Sequence, residues 1–247
     1  MKIITLNLWG GKIKKELFDF IEKSTADVFC FQEVFNSLSD KSLALKFINQ
    51  SEVAGDLFQN IKKLRPDMEG YFQPTSNRAY GLAIFIKKSI KVIETRGVLI
   101  HDGSLHQADI LADQQNRFLQ IIRFSLNNSE YVIMNLHGHW TRDGLDNPYI
   151  INQTEKIIKE IDNFSTLPVI LSGDFNLSPD SVSIKKLSKK LKNLILENNI
   201  TSTRTKYCPY PIRFADYIFV NEKVEVKGFI VLPDNVSDHY PLLIEIN

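Results

Sequence analysis

Cysteine is nearly absent from this sequence. There are two in 247 residues. Cys30 lies inside the apolar run VFCF and Cys208 in a Tyr-Cys-Pro stretch, so neither a disulfide framework nor the Cys/His spacing of a structural zinc site is on offer. One is expected as a buried small hydrophobe, the other as an incidental loop thiol. A dominant charge is missing too: 30 Lys and Arg stand against 29 Asp and Glu, a net charge of +1. The molecule as a whole therefore has no strong field to draw it onto a nucleic acid or an anionic membrane. No stretch approaches the ~20 apolar residues of a membrane helix, and the opening MKIITLNLW reads as a strand rather than a secretion leader. A cytoplasmic protein without a membrane partner, and a monomer, is the expectation. No GxxxxGK[ST] or GxGxxG loop cradles a nucleotide. Repeats, low-complexity segments and linkers are lacking as well. At 43% hydrophobic and 24% charged, the composition suits one globular domain spanning 1–247.

What is present alternates between strand and helix patterns. Residues 2–8 and 27–32 are short apolar runs rich in Ile, Val and Phe, the mark of buried strands. Between them Ile13, Leu17, Phe20 and Ile21 recur at helical spacing, bounded by Gly10-Gly11 and Ser24, which predicts a strand-helix-strand unit with parallel neighbours. Residues 81–87, 91–100, 116–126 and 130–136 read as an antiparallel run, with Asn127-Asn128 at a hairpin turn. A helix is predicted over 149–164, then the strand PVIL, then a lysine-rich amphipathic helix over 184–192, for which a solvated outer face outweighs a phosphate-binding role. Asp180 is the expected N-cap of that helix. Strands follow at 214–220, 224–232 and 242–246. The polar stretch 37–51 reads as a substrate loop or the front of a helix reaching Leu64. The expected fold class is mixed α/β with two sheets.

Several of these strands end in a residue that apolar packing does not require. KIITL ends in Asn7, VFCF in Gln32-Glu33, VIM in Asn135-Leu136-His137, and VIL reaches Asp174 and Asn176. Near the C-terminus the order reverses, with Asp216 before YIFV and Ser237-Asp238-His239 before the last strand. If those late strands run antiparallel to the others, all six groups meet at one edge. Any single one could serve turn chemistry alone. An acid such as Glu33 at the end of an apolar strand, however, needs a cation or donor. Glu33, Asp174, Asp216 and Asp238 with Asn7, Asn176 and the two histidines make an oxygen-rich set suited to Mg²⁺ or Mn²⁺. Magnesium is commonly held by one or two carboxylates together with a substrate phosphate, so a phosphoester is the natural partner.

The ordered segments TLNLW, FQEV, NLHGHW, SGDFN, FADYIF and SDHYPL resemble the endonuclease/exonuclease/phosphatase superfamily, the DNase-I-like metal-dependent phosphoesterases. The resemblance runs from Asn7 to His239. It implies a four-layer α/β sandwich, two mixed β-sheets packed face to face with helices outside. It also implies roles: Glu33 binding Mg²⁺ (or Mn²⁺) with Asn7 beside it, Asp174 orienting or deprotonating the attacking water, Asn176 holding the phosphate, and His137 touching a phosphate oxygen. His239, oriented by Asp216, would complete the site, and Asp238 would help with a metal. Arg204 in STRTKY, and Arg78 and Tyr80 in NRAYG, are candidate substrate contacts for which surface roles are equally open. Trp140 is expected to pack, with stacking on a ring as the alternative.

The HGHW ending departs from the NTHL of sphingomyelinases, and the insertions that grip duplex DNA in abasic-site repair enzymes are not evident. A Mg²⁺-dependent phosphodiesterase, with DNA or RNA among its candidate partners, is therefore expected. A phosphomonoesterase or small-molecule phosphoesterase is the alternative, and a non-catalytic nucleic-acid-binding module a distant third.

Overall fold

The computed structural model describes residues 1–36, 56–75, 79–105, 115–127 and 129–247. The polar stretch 37–51, Arg78 and Asn128 lie outside the described residues. The described residues form twelve strands, most of them marked by apolar runs and β-branched content: β1 (Lys2–Asn7), β2 (Val28–Phe35), β3 (Met68–Pro74), β4 (Tyr80–Lys87), β5 (Lys91–His101), β6 (Arg117–Leu126), β7 (Ser129–His137), β8 (Val169–Asp174), β9 (Lys192–Asn193), β10 (Asp216–Val220), β11 (Val226–Val231) and β12 (Leu242–Ile246). They form two six-stranded sheets, ordered β11-β12-β1-β2-β4-β3 and β5-β6-β7-β8-β10-β9.

Both sheets are mixed. Each has one parallel pair of neighbours at its centre, β1 with β2 and β7 with β8, and each of these pairs is joined by a crossover helix, as parallel neighbours require. The first crossover is α1 (Lys14–Lys23), which buries Leu17 and Ile21. The second is α3 (Pro148–Asn163), whose start is fixed by Asn147, its side chain accepting from the Ile150 N–H at 2.9 Å, and by Pro148 in the first turn. Between β2 and β3 lies α2 (Leu57–Leu64), an amphipathic helix with Leu57, Phe58 and Ile61 buried.

The burial pattern sets the layer order. Leu17 and Ile21 of α1 and Leu57, Phe58 and Ile61 of α2 pack with Phe29, Phe31 and Phe85 on one face of the first sheet. Its other face, carrying Ile3, Val28, Cys30 and Ile84, meets Ile133 and Ile170 of the second sheet, whose far side, with Met134 and Leu171, is covered by Ile150, Ile157 and Ile161 of α3 and Ile184 and Leu187 of α4 (Val182–Ser188). The result is the expected four-layer sandwich. A short α5 (Leu194–Glu197) completes the helices among the described residues. None of these helices is long and apolar enough to cross a membrane.

Three details differ from expectation. Strand β3, MEGYFQP, carries Gly70 and Pro74 and no apolar alternation; it survives as an edge strand paired only with β4. The lysine-rich helix stops at Ser188, and Lys192 enters β9 opposite Val220. Its cap is Ser181, whose Oγ accepts from the Ile184 N–H at 3.2 Å, while Asp180 is exposed beside Lys185. The lysines there are matched to surface acids, Lys186 to Glu155, Lys190 to Asp162 and Lys192 to Glu197. This face is charge-balanced and solvated.

Candidate active site

The reversal of the last strands brings the polar strand ends together. Because β10 runs antiparallel to β8, Asp216 sits directly across from Asp174, and His137 at the end of β7 flanks Asp174 on the other side. In the first sheet, Asn7 ends β1 beside Gln32 of β2. The antiparallel β1–β12 pairing returns the Ser237–His239 loop to the same edge. There the Ser237 hydroxyl donates to the Asn7 carbonyl at 2.6 Å.

Glu33 is not a simple strand end. The ladder between β2 and β4 slips between Phe31 and Val34, and Glu33 adopts φ +55° within that bulge. Left-handed backbone at a non-glycine residue is strained, and bulges re-aim side chains next to functional sites. Its carboxylate accepts from Asn7 Nδ2 at 3.1 Å, and the same amide donates to Asp174 Oδ2 at 2.9 Å. One asparagine thus ties an acid from each sheet together. The second oxygen of Asp174 accepts the Asn176 N–H at 2.9 Å, and Asn176, itself at φ +57°, donates from Nδ2 to the Gly138 carbonyl at 3.2 Å. Phe175 between them is 1% exposed, edge-on to Tyr217 and Phe219.

On the opposite side, His239 Nδ1 donates to Asp216 at 2.8 Å, and Asp216 is held in turn by its own N–H and that of Ala215 on the Thr203 hydroxyl. His239 Nε2 faces Asp174 Oδ2 at 3.6 Å and Arg204 Nη1, and the same Arg204 nitrogen donates to Asp238 at 3.2 Å. The Arg204 Nε is buried with no partner among the described residues. His137 Nε2 lies 3.7 Å from Asp174 and 4.0 Å from Glu33.

Charge explains the protonation pattern. Burial pushes the Glu33 carboxyl up from its ordinary value, Asp238 and Asp174 push it further, and the Asn7 hydrogen bond only partly offsets them. Asp174 is likewise raised, chiefly by burial. His137 is held well below the usual imidazole range by burial and by the charges of Arg117, His239 and Arg204, so it is neutral. For His239, burial and Arg204 lower the pKa, but Asp216, Asp238 and Asp174 outweigh them and raise it to about 9.

Among the described residues, four carboxylates face two cations here, Arg204 and His239. Even with Arg117, which acts on His137 and Tyr80, the balance stays negative. A divalent cation matches that deficit and the oxygen donor set. Among the described residues, Asp174, Asp216 and His239 form the one group of acids and histidines whose ligand atoms all lie within 4.8 Å of one another. In this group Nδ1 of His239 is already engaged by Asp216. Glu33, one-fifth exposed and hydrogen-bonded among the described residues only to Asn7, has the freer oxygens.

All eight expected catalytic and metal residues, Asn7, Glu33, His137, Asp174, Asn176, Asp216, Asp238 and His239, therefore meet at one edge, joined by Arg204. Tyr80 begins β4 beside Phe35, two residues beyond Glu33, with its phenol raised well above the ordinary value by burial and by Glu33. Arg78 lies outside the described residues. Trp140 is partly buried against Tyr210, ring centroids 6.0 Å apart. Arg117 escaped sequence reasoning. It is 3% exposed at the start of β6, and its signal in the sequence is weak: a charge before the run FLQII, which Gln120 interrupts.

The chain matches no curated protein sequence. Among solved structures it resembles a mannosyl-6-phosphatase of Bacteroides thetaiotaomicron at 18% identity and TM-score 0.75, covering 100% of this chain and 99% of that one. The human Nocturnin catalytic domain gives 16% and 0.73 over 100% and 93%. TDP2 of Caenorhabditis elegans gives 17% and 0.70 over 100% and 74%. At these identities the likeness establishes the fold. The model of the endonuclease/exonuclease/phosphatase family matches residues 4–239, nearly the whole sequence and every one of these strand ends: the chain belongs to that family.

Proposed function

We propose that the chain, as one cytoplasmic, monomeric domain spanning 1–247, is a Mg²⁺- or Mn²⁺-dependent hydrolase that cleaves a phosphodiester by in-line attack of an activated water. The observation that carries this reading is the asparagine-linked pair Glu33–Asn7–Asp174, an acid from each sheet held within one cluster that, among the described residues, is short of positive charge. Glu33, with Asn7 beside it and Asp238 in support, would hold the metal. When bound, the ion neutralises charge on the phosphate's non-bridging oxygens.

The chain's own residues supply the rest. Asp174 orients the water and accepts its proton; its raised pKa makes it a stronger base than an exposed aspartate. His137, neutral and facing Asp174, donates a hydrogen bond to a phosphate oxygen as charge develops there, and Asn176 holds the phosphate through its amide. His239 on Asp216 stands across the site from the nucleophile, positively charged and fixed in orientation. Arg204, with its Nε unspent, meets a second phosphate oxygen, and Tyr80 lines the approach beside Glu33.

DNA or RNA is one substrate class for such a site. The near-zero net charge and the acid-paired lysines of α4 and the turn after it favour a second reading, a small-molecule phosphoester such as a sugar, inositol or nucleotide phosphate. The deciding experiment offers single-stranded and duplex DNA, RNA, 5′-tyrosyl DNA, inositol phosphates and generic di- and monoesters, with Mg²⁺ or Mn²⁺ and with EDTA. EDTA-sensitive release from at least one ester is expected. Activity indifferent to EDTA, or none on any ester, would defeat the enzymatic reading.

A further inference from the structure

Directly beneath the site, the interface between the sheets is not wholly apolar. Gln32 of β2 and Asn135 of β7, each 0% exposed, face each other across it, and Gln32 Nε2 donates to Asn135 Oδ1 at 2.7 Å and to the Thr5 hydroxyl at 3.1 Å. Asn135 Nδ2 returns across the gap to the Phe31 carbonyl at 3.1 Å and reaches Gln120 Oε1 at 3.3 Å. Gln120, directly opposite Asn135 in the β6–β7 ladder, donates from Nε2 to the Tyr71 carbonyl of the first sheet at 2.8 Å.

Buried amides cost free energy unless fully paired, and Gln32 Oε1 has no partner among the described residues. Stability alone therefore does not account for this chain of amides among Ile, Val and Phe. Its position does. Gln32 precedes Glu33 and sits beside Asn7 in the β1–β2 register. Asn135 sits beside Ser172, one step below the His137–Asp174 pair. The link thus joins the strand bearing Glu33 to the strand bearing His137, immediately under both.

We propose that the Gln32–Asn135 amide bridge is a positioning device that fixes the spacing between the metal-holding side of the site, Asn7 and Glu33, and the side that carries His137 and Asp174. The inference rests on the divalent-metal reading of the site. Sliding one sheet against the other by a fraction of a strand step would separate Glu33 from Asp174, which among the described residues the Asn7 amide alone hydrogen-bonds together. An apolar pair at these positions would pack but would not fix that offset.

The test is a double-mutant cycle of Gln32→Met and Asn135→Leu, read by thermal unfolding and by calorimetric titration with Mn²⁺. Each single change strands a buried amide and lowers both Tm and Mn²⁺ affinity. The double variant removes both partners and recovers Tm towards the parent, yet binds Mn²⁺ at least about 10-fold more weakly, as lost outer supports of metal ligands do. Mn²⁺ affinity that recovers in step with Tm would overturn the proposal and leave the amides as packing. If the double variant does not fold, Gln120→Met, which loosens only the outer end of the chain, gives the same comparison, and there unchanged Mn²⁺ affinity at lowered Tm is the contrary result. The parent's Mn²⁺ binding is read without any substrate. A parent that binds Mn²⁺ but cleaves no phosphoester would therefore defeat the proposed function while leaving the positioning claim standing.

Discussion

Glu33 is where backbone and charge are both held away from their preferred states. Its φ of +55° is strained, and its carboxyl lies against Asp238 and Asp174 in a buried setting. Replacing Glu33 by Gln keeps the Asn7 hydrogen bond but removes the repulsion. In metal-free protein Tm is expected to rise by ~2–4 °C, the equivalent of about 1 kcal/mol in a chain of this size, while added Mn²⁺ no longer raises it further. A lowered Tm in EDTA would show that Glu33 is compensated by groups other than a cation. At Asp174 the expectation is different in kind. Asp174→Asn has one acceptor oxygen where the carboxylate has two, so it keeps either the Asn7 or the Asn176 hydrogen bond and cannot take a proton; the fold is retained with a small loss of Tm, and turnover falls by roughly 10²–10⁴-fold. Circular dichroism melts paired with initial rates separate the two effects.

At the scale of elements, β8 sets the geometry most tightly. Gly173 has φ +138°, and a Cβ there would lie 2.1 Å from the Leu136 carbonyl oxygen, so only glycine lets β8 approach β7 with Asp174 beside His137. Gly173→Ala is expected to cost roughly 3–5 kcal/mol from strain and overpacking together. Chemical denaturation would register it, and a loss under 1 kcal/mol would contradict the close approach. How far sequence reasoning reached follows from which forces are local. The alternating and continuous apolar runs made β1, β2, β4 and β7 legible, and the polar ends of those strands pointed to Asn7, Glu33, His137 and Asp174. Edge strand β3 was not legible, because one-sided pairing permits Gly70 and Pro74 and asks for no apolar alternation. The shift of the cap from Asp180 to Ser181 was also hidden, since both residue types cap helices and only the backbone path chooses between them. Nor could the Glu33 bulge or the inward-facing Arg117 be read directly, because each depends on register against a strand distant in sequence.

For the whole molecule, a core built with so few thiols has a simple signature. Cys30 is fully buried, and burial pushes its thiol up to about 12; Cys208 is partly exposed in its loop. At pH 8, a thiolate-selective reagent should label one cysteine per native chain, Cys208, and a second only on unfolding. Two rapid equivalents in the native state would mean that the sheets separate readily. The central claim is that the acids and histidines gathered from both sheets form a metal-dependent phosphoesterase centre. The most direct measurement is the initial rate of phosphoester hydrolysis with saturating Mn²⁺, for the parent and Asp174→Asn purified in parallel, each with and without EDTA. A parent rate that EDTA abolishes, and that Asp174→Asn lowers by roughly 10²-fold or more while the variant stays folded at the assay temperature, is the expected result. An EDTA-resistant parent rate, or equal rates for the two proteins, would contradict it.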